Sequence, residues 1–174
     1  MSIVKSTRPF ISMLALALAL AFGLVPASAA QAQSSSQDRA RFVSITRTLE
    51  AAPLQADGRA DRAWALQWLT EVPDVSVTIC MNSLGDLGGD YRYSGEIALQ
   101  YVFAMAVQII EHPEMANDQN ALQLAGVVGA LRTYRAILSA EPGAKSAVLD
   151  SLLETEARGG LPAMILSDSP NCSA

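Results

Sequence analysis

Four prolines, Pro53, Pro73, Pro113 and Pro142, each stand just past a run of apolar residues spaced three and four apart. A proline there removes a backbone donor and ends the helix it follows. This punctuation cuts the chain into helices too short to stand alone, so they must pack on one another. From 38 to 51, Phe42, Ile45 and Leu49 recur at helical steps. A second helix is expected over 60–71, with Ala60, Trp64 and Trp68 on one stripe and Leu69 beside it. Ser94 is a candidate N-cap for a long helix through Glu111, and Asn117 or Asp118 for the next, which holds its period from Leu124 to Ser139. A fifth helix is expected over 145–158, with Gly159-Gly160 as its C-cap, then a short turn from Pro162 to Leu166. The expectation is an all-α fold of about five helices in up-down hairpins, forming a compact bundle or a short helical stack.

Val75-Ser-Val-Thr-Ile79 departs from this pattern, because it alternates as a strand would. No second strand-like run exists to pair with it, and a lone strand leaves its backbone groups unsatisfied. The segment is therefore expected as a short helix started by Pro73-Asp74, or as extended chain packed on helices.

Residues 1–32 read as a cleaved signal peptide. Lys5 and Arg8 precede an apolar run from Phe10 to Val25, then Pro26 and the small residues Ala27-Ser28-Ala29 and Ala30-Gln31-Ala32. The apolar run is about sixteen residues, short of the roughly 20 that a spanning helix needs. Residues 33–37 read as a short flexible polar tether, and 38–174 as a single helical domain. The expected location is periplasmic or secreted, with no membrane association after cleavage. Removing the leader's two basic residues leaves ten basic against seventeen acidic, a net charge of −7. Such a balance carries no electrostatic footprint for nucleic acid. It is equally unsuited to an anionic membrane surface. An unidentified protein or small molecule is left as the partner.

Cys80 and Cys172 are the only cysteines. They are too far apart in sequence for a thioredoxin-type or zinc-ligand cluster. In an exported chain they are expected to form a structural disulfide, worth roughly 4 kcal/mol on the chain-entropy model for a loop of about ninety residues.

Signs of catalysis are sparse. His112 is the single histidine, beside Glu111 at a helix end, where the dipole favours a solvent-exposed imidazole. No nucleophile elbow, HExxH, ExxH pair or C-x-x-C-H is present. Methionines at helical spacing more often serve the core than a b-type haem, so no cofactor and no metal is expected. The most unusual stretch is 82–93, with three glycines, two aspartates and two tyrosines. Asn82, Asp86 and Asp90 stand four apart, unlike the alternating ligands of an EF-hand, so a turn-rich connection is the simpler reading. If the chain has a recognition surface, the candidates are Trp64, Trp68, Asp86, Asp90, Tyr91 and Tyr93, on or near this loop.

Ala130, Tyr134, Ile137 and Pro142 are spaced so that their helix resembles the second helix of a tetratricopeptide repeat. The resemblance covers about thirteen residues, without the preceding helix's signature or any repeat of about 34 residues. It implies at most a stack of helical hairpins and assigns no family. The function expected is a non-enzymatic, secreted or periplasmic binding or interaction domain. The alternative is a small secreted hydrolase, for example glycan-cleaving, with carboxylates near the 82–96 loop.

Overall fold

The computed structural model describes residues 34–85 and 91–168. Six α-helices and two short 3₁₀ turns make up its regular structure, and no strand occurs among the described residues. The helices are α1 (Ser36–Ala51), α2 (Gly58–Glu71), α3 (Ser94–Glu111), α4 (Gln119–Ala140), α5 (Ala147–Ala157) and α6 (Leu161–Asp168). The 3₁₀ turns are Met81–Leu84 and Pro113–Met115. The all-α bundle expected from the prolines is what forms. Pro53, Pro73, Pro113 and Pro142 each lie just beyond the last residue of a helix, separated from it by a single position.

Helix ends differ from expectation in several places: α2 begins two residues early, at Gly58, and four other differences have a local reason. First, α1 begins at Ser36, so residues 34–37 are not the loose tether their composition suggested. Ser35 Oγ accepts from Asp38 N at 3.0 Å and donates to Asp38 Oδ2 at 2.7 Å. Serine is among the best acceptors for the free N–H groups of a first helical turn. Second, Ser94 is the first helical residue and not the cap; Tyr93 holds that position, with Ile97 N donating to its carbonyl at 3.1 Å. Third, α5 starts at Ala147 behind Ser146, whose hydroxyl accepts from Leu149 N. Fourth, the expected turn at 162–166 is the middle of α6, where Pro162 occupies the second position and its missing donor costs nothing. The remaining caps follow the sequence. Asp118 accepts from Ala121 N at 3.0 Å, and Gly159, at φ +69°, closes α5.

Helices α3 and α4 form the axis of the bundle. Tyr101 and Met105 meet Gly126, and Ala104 meets Gly129. Arg92, just before α3, pairs with Glu141, just past the end of α4, and only residues 112–118 join the two helices, so the pair is antiparallel. Both glycines are required by this approach. A Cβ on Gly126 would stand 2.6 Å from the Tyr101 ring, and one on Gly129 would collide with the Ala104 methyl. Around this axis Phe42, Ile97, Tyr101, Phe103, Leu131 and Tyr134 are fully buried. Each such side chain contributes about 1.5–3 kcal/mol through removal of apolar surface from water.

Residues 73–80 form extended chain packed on helices, the second of the two expected forms. The backbone groups of Thr78 and Cys80 are bonded by side chains of the axis. Gln123 Nε2 donates to Thr78 O at 2.8 Å. The Tyr101 hydroxyl bonds the Cys80 carbonyl at 3.0 Å, accepts from Cys80 N at 3.3 Å and also reaches Gln123 Oε1. Asp74 is gripped by the Arg39 guanidinium and by Ser34. The alternation is not kept in space: Val75 is buried but Ile79 is 53% exposed, while Cys80 turns inward.

Candidate binding groove

The two tryptophans and two tyrosines expected at a recognition surface serve different ends of the bundle. Trp64 and Trp68 stack on one face of α2, with centroids 6.3 Å apart. Trp68 packs on Phe42 at 4.7 Å, and the Arg41 guanidinium lies 3.9 Å over the Trp64 ring. Tyr91 meets Tyr134 edge-on at 6.2 Å and donates to Ala144 O at 3.2 Å. Tyr93 is buried against Tyr91 and covered by Arg92, which also pairs with Glu141. These contacts fasten the start of α3 to the α4–α5 connection. Among the described residues no ring contact joins the tryptophans to the tyrosines. Asp86 and Asp90 lie outside the described residues, as does Cys172. Cys80 is 4% exposed, at the entrance to the first 3₁₀ turn.

The tyrosines' environment shows in their acidity. Burial pushes the Tyr101 hydroxyl up to about 12. Burial, with the neighbouring Tyr134, Tyr93 and carboxylates, does the same for Tyr91. Both hydroxyls hold protons far above neutral pH, so they act here as structural donors. His112 ends α3 with its side chain half exposed and Nδ1 3.4 Å from Glu114 Oε1. Of the carboxylates in the 82–96 loop, only Glu96 is among the described residues. A cleft of about 470 Å³ at the first 3₁₀ turn is lined by Ser83, Gly85, Val148, Ser151, Leu152 and Met164. Among the described residues no cluster of three or more His, Cys, Asp or Glu side chains could hold a metal. No helix among them is long and apolar enough to cross a membrane.

A different feature has the form of a ligand site. Between the second half of α1, the second half of α3 and the first part of α4 lies a groove of about 570 Å³. That is within the usual range for small-molecule sites. Its floor is aliphatic and small: Ala104, Val107, Leu124, Ala125, Val128 and Gly129. Two ion pairs cross it from α1, Arg47 to Glu111 on α3 and Glu50 to Arg132 on α4, the latter at 3.4 Å. Thr46, 2% exposed, lines the same groove, and its Oγ1 is buried without a hydrogen-bond partner. Its carbonyl is taken by Gln100 Nε2 at 3.1 Å. A larger, more open depression of about 890 Å³ follows the outer face of α1 past Val43 and Ile110. It holds no orphaned polar atom; besides Thr46 Oγ1, those among the described residues are Asp74 Oδ1 and Ser83 Oγ, the latter at the cleft of about 470 Å³.

None of these groove residues was a candidate from the sequence. The available signal was Gly126-x-x-Gly129 inside an otherwise apolar helix, since interior glycines cost helix stability and mark close approach. Because Gly129 carries no side chain, the Ala104 methyl fits against α4 there, and Glu50 Oε2 is the next nearest atom, 3.6 Å from where a Cβ would sit. Comparison with known proteins finds no matching family model, no matching curated protein and no matching solved structure.

Proposed function

We propose that this chain is an exported, non-enzymatic helical binding domain that takes its ligand in the groove between α1, α3 and α4. The observation that carries the reading is the groove of ligand size with its aliphatic floor, walled on one side by Thr46, whose buried hydroxyl has no partner. A buried polar atom without a partner is disfavoured in a finished core and is accounted for by an occupant that bonds it. Export is supported by the order of basic, apolar and small residues in 1–32. The net charge of −7 after cleavage favours a protein or small-molecule ligand over nucleic acid or an anionic membrane. A Cys80–Cys172 disulfide belongs to the same proposal. It is supported by the compartment and by the packing of α6, which ends at Asp168, on the turn that follows Cys80.

Two measurements test the reading. Intact mass of protein recovered after export should correspond to an N-terminus at Ala30 or Gln33, and retention of Met1 would contradict export with cleavage. An NMR titration with a set of aliphatic amines, acids and alcohols should move the resonances of Ala104, Val107, Ala125 and Val128. Shifts confined to Tyr91 and Tyr93 would relocate the site to the loop. Hydrolysis of cell-wall glycan by the pure protein would make it an enzyme instead.

A further inference from the structure

We infer that the groove is built for an aliphatic primary ammonium, its alkyl body on the floor and its –NH₃⁺ at the Glu50 carboxylate, one helical turn from Thr46. The inference rests on the groove reading above and names the ligand's chemistry. The floor residues are aliphatic or lack a side chain, and no aromatic ring lines the groove among the described residues. Sugars and bases are commonly held by stacking on rings, whereas an alkyl chain needs only shape and apolar surface. The floor therefore selects a flexible aliphatic body.

The head group follows from the polar residues on the groove wall, Thr46, Arg47, Glu50, Gln108, Glu111 and Arg132. Thr46 and Glu50 are one turn apart on α1, so their side chains share a face. Thr46 Oγ1 is buried with no partner. The Glu50 side chain is 21% exposed; its Oε1 receives a long 3.4 Å contact from Arg132, and its Oε2 stands over Gly129. Both groups offer lone pairs: a carboxylate only accepts, and a hydroxyl accepts readily. An ammonium, with three donors and no acceptor, complements that set. A carboxylate head would face Glu50 as a like charge. The arginines are placed to yield. Arg47 is engaged by Glu111 and is 65% exposed, while Arg132 is 61% exposed and can swing into water. An incoming ammonium thus replaces a long, solvated contact with a shorter one in a less polar setting. The acidic balance of the whole chain draws cations toward the site.

The experiment compares octylammonium with octanoate, each titrated below its aggregation limit into the exported, processed protein, read by NMR shifts and calorimetry. Octylammonium should bind and move the Ala104, Val107, Ala125 and Val128 resonances, while octanoate binds at least tenfold more weakly. Glu50→Gln should weaken octylammonium about tenfold, the scale of a lost charge-assisted hydrogen bond. Thr46→Val should weaken it less. Arg132→Ala, at an exposed position, should tighten it by removing the competing cation, and keeps the proposal testable if Glu50→Gln fails to fold. Equal or tighter binding of octanoate, unchanged affinity in Glu50→Gln, or weaker binding in Arg132→Ala overturns the ammonium assignment and leaves the groove standing. Failure of both ligands to move the floor resonances of the wild-type protein overturns the groove with it.

Discussion

Asp74 shows how one side chain holds a segment with no regular structure of its own. It stands at the start of the extended stretch, with its side chain 17% exposed. Burial alone would raise its pKa. The hydrogen bonds from Arg39 and from both the amide and hydroxyl of Ser34, with the Arg39 charge, outweigh burial and hold the carboxyl below the ordinary aspartate value. A carboxyl with a depressed folded-state pKa stabilises the protein fully above its unfolded-state pKa, and that stabilisation is lost as pH falls through the folded value. Asp74→Asn should therefore lower stability by about 1–3 kcal/mol at neutral pH, the scale for weakening a hydrogen bond to a charged group. The deficit should shrink below about pH 4, where wild type loses the same contribution. Chemical denaturation at several pH values reads this out, and a deficit independent of pH would mean that the Arg39–Asp74 pair contributes nothing. At the same scale, Tyr101 and Gln123 supply the partners that a neighbouring strand would otherwise give to residues 78–80. That is why a segment with strand-like alternation can stay extended without a sheet.

Among the elements, α4 decides the architecture, since α1, α3, α5 and α6 all pack on it. Its closeness to α3 depends on Gly126 and Gly129, and two glycine substitutions separate intrinsic helix preference from packing. Gly95, in the first turn of α3, has nothing within 4 Å of where an added methyl would sit, so Gly95→Ala should gain a few tenths to about 1 kcal/mol. Gly129→Ala has the same intrinsic gain, yet its methyl would meet Ala104, and the two helices must move apart. Overpacking of this kind costs about 1–3 kcal/mol, so the net change should be a loss. Thermal midpoints of the two variants should move in opposite directions. A rise for both would show that the helix pair has slack at this level. Opening the α3–α4 contact also reshapes the groove floor, so Gly129→Ala should alter ligand shifts at Ala125 and Val128.

At the scale of the whole molecule, ion pairs and aromatic contacts tie the outer helices to the axis: Arg47–Glu111 and Glu50–Arg132 for α1, and Arg135–Glu156 for α5. These pairs are largely exposed, so each adds little stability and mainly sets register. The proposed Cys80–Cys172 bridge would act at longer range, joining the tail to the turn beneath Tyr101. Replacing both cysteines with serine should cost about 2–5 kcal/mol, the usual range for a native bridge in a small secreted domain. Urea denaturation of the double variant against the oxidised wild type tests this. An unchanged midpoint, or free alkylation of both thiols in native exported protein, would remove the bridge from the account.

Helix class, five of the six helices and the proline stops could be read from the chain, because periodicity, proline stops and caps are local properties. Pro53, Asp118 and Gly159 act through neighbours within a few residues, and each does in space what its position in the chain suggests. Local reasoning erred where a residue's partner depends on its surroundings. Ser34 and Ser35 look like solvated linker until Asp38 and the distant Asp74 accept them. Trp68 and Tyr91, expected at a recognition surface, also pack on Phe42 and Tyr134, a tertiary role that depends on residues far along the chain. The groove was hidden for the complementary reason. Thr46, Glu50, Ala104 and Gly129 are ordinary one by one, and they lie on three helices. What the sequence alone determined is a set of capped, amphipathic helices and a leader-like N-terminal pattern. Which faces close tightly, and which leave an aliphatic groove with an unpaired hydroxyl, was decided only when Gly129 brought α4 against Ala104, since contact across helices depends on the summed packing of distant residues.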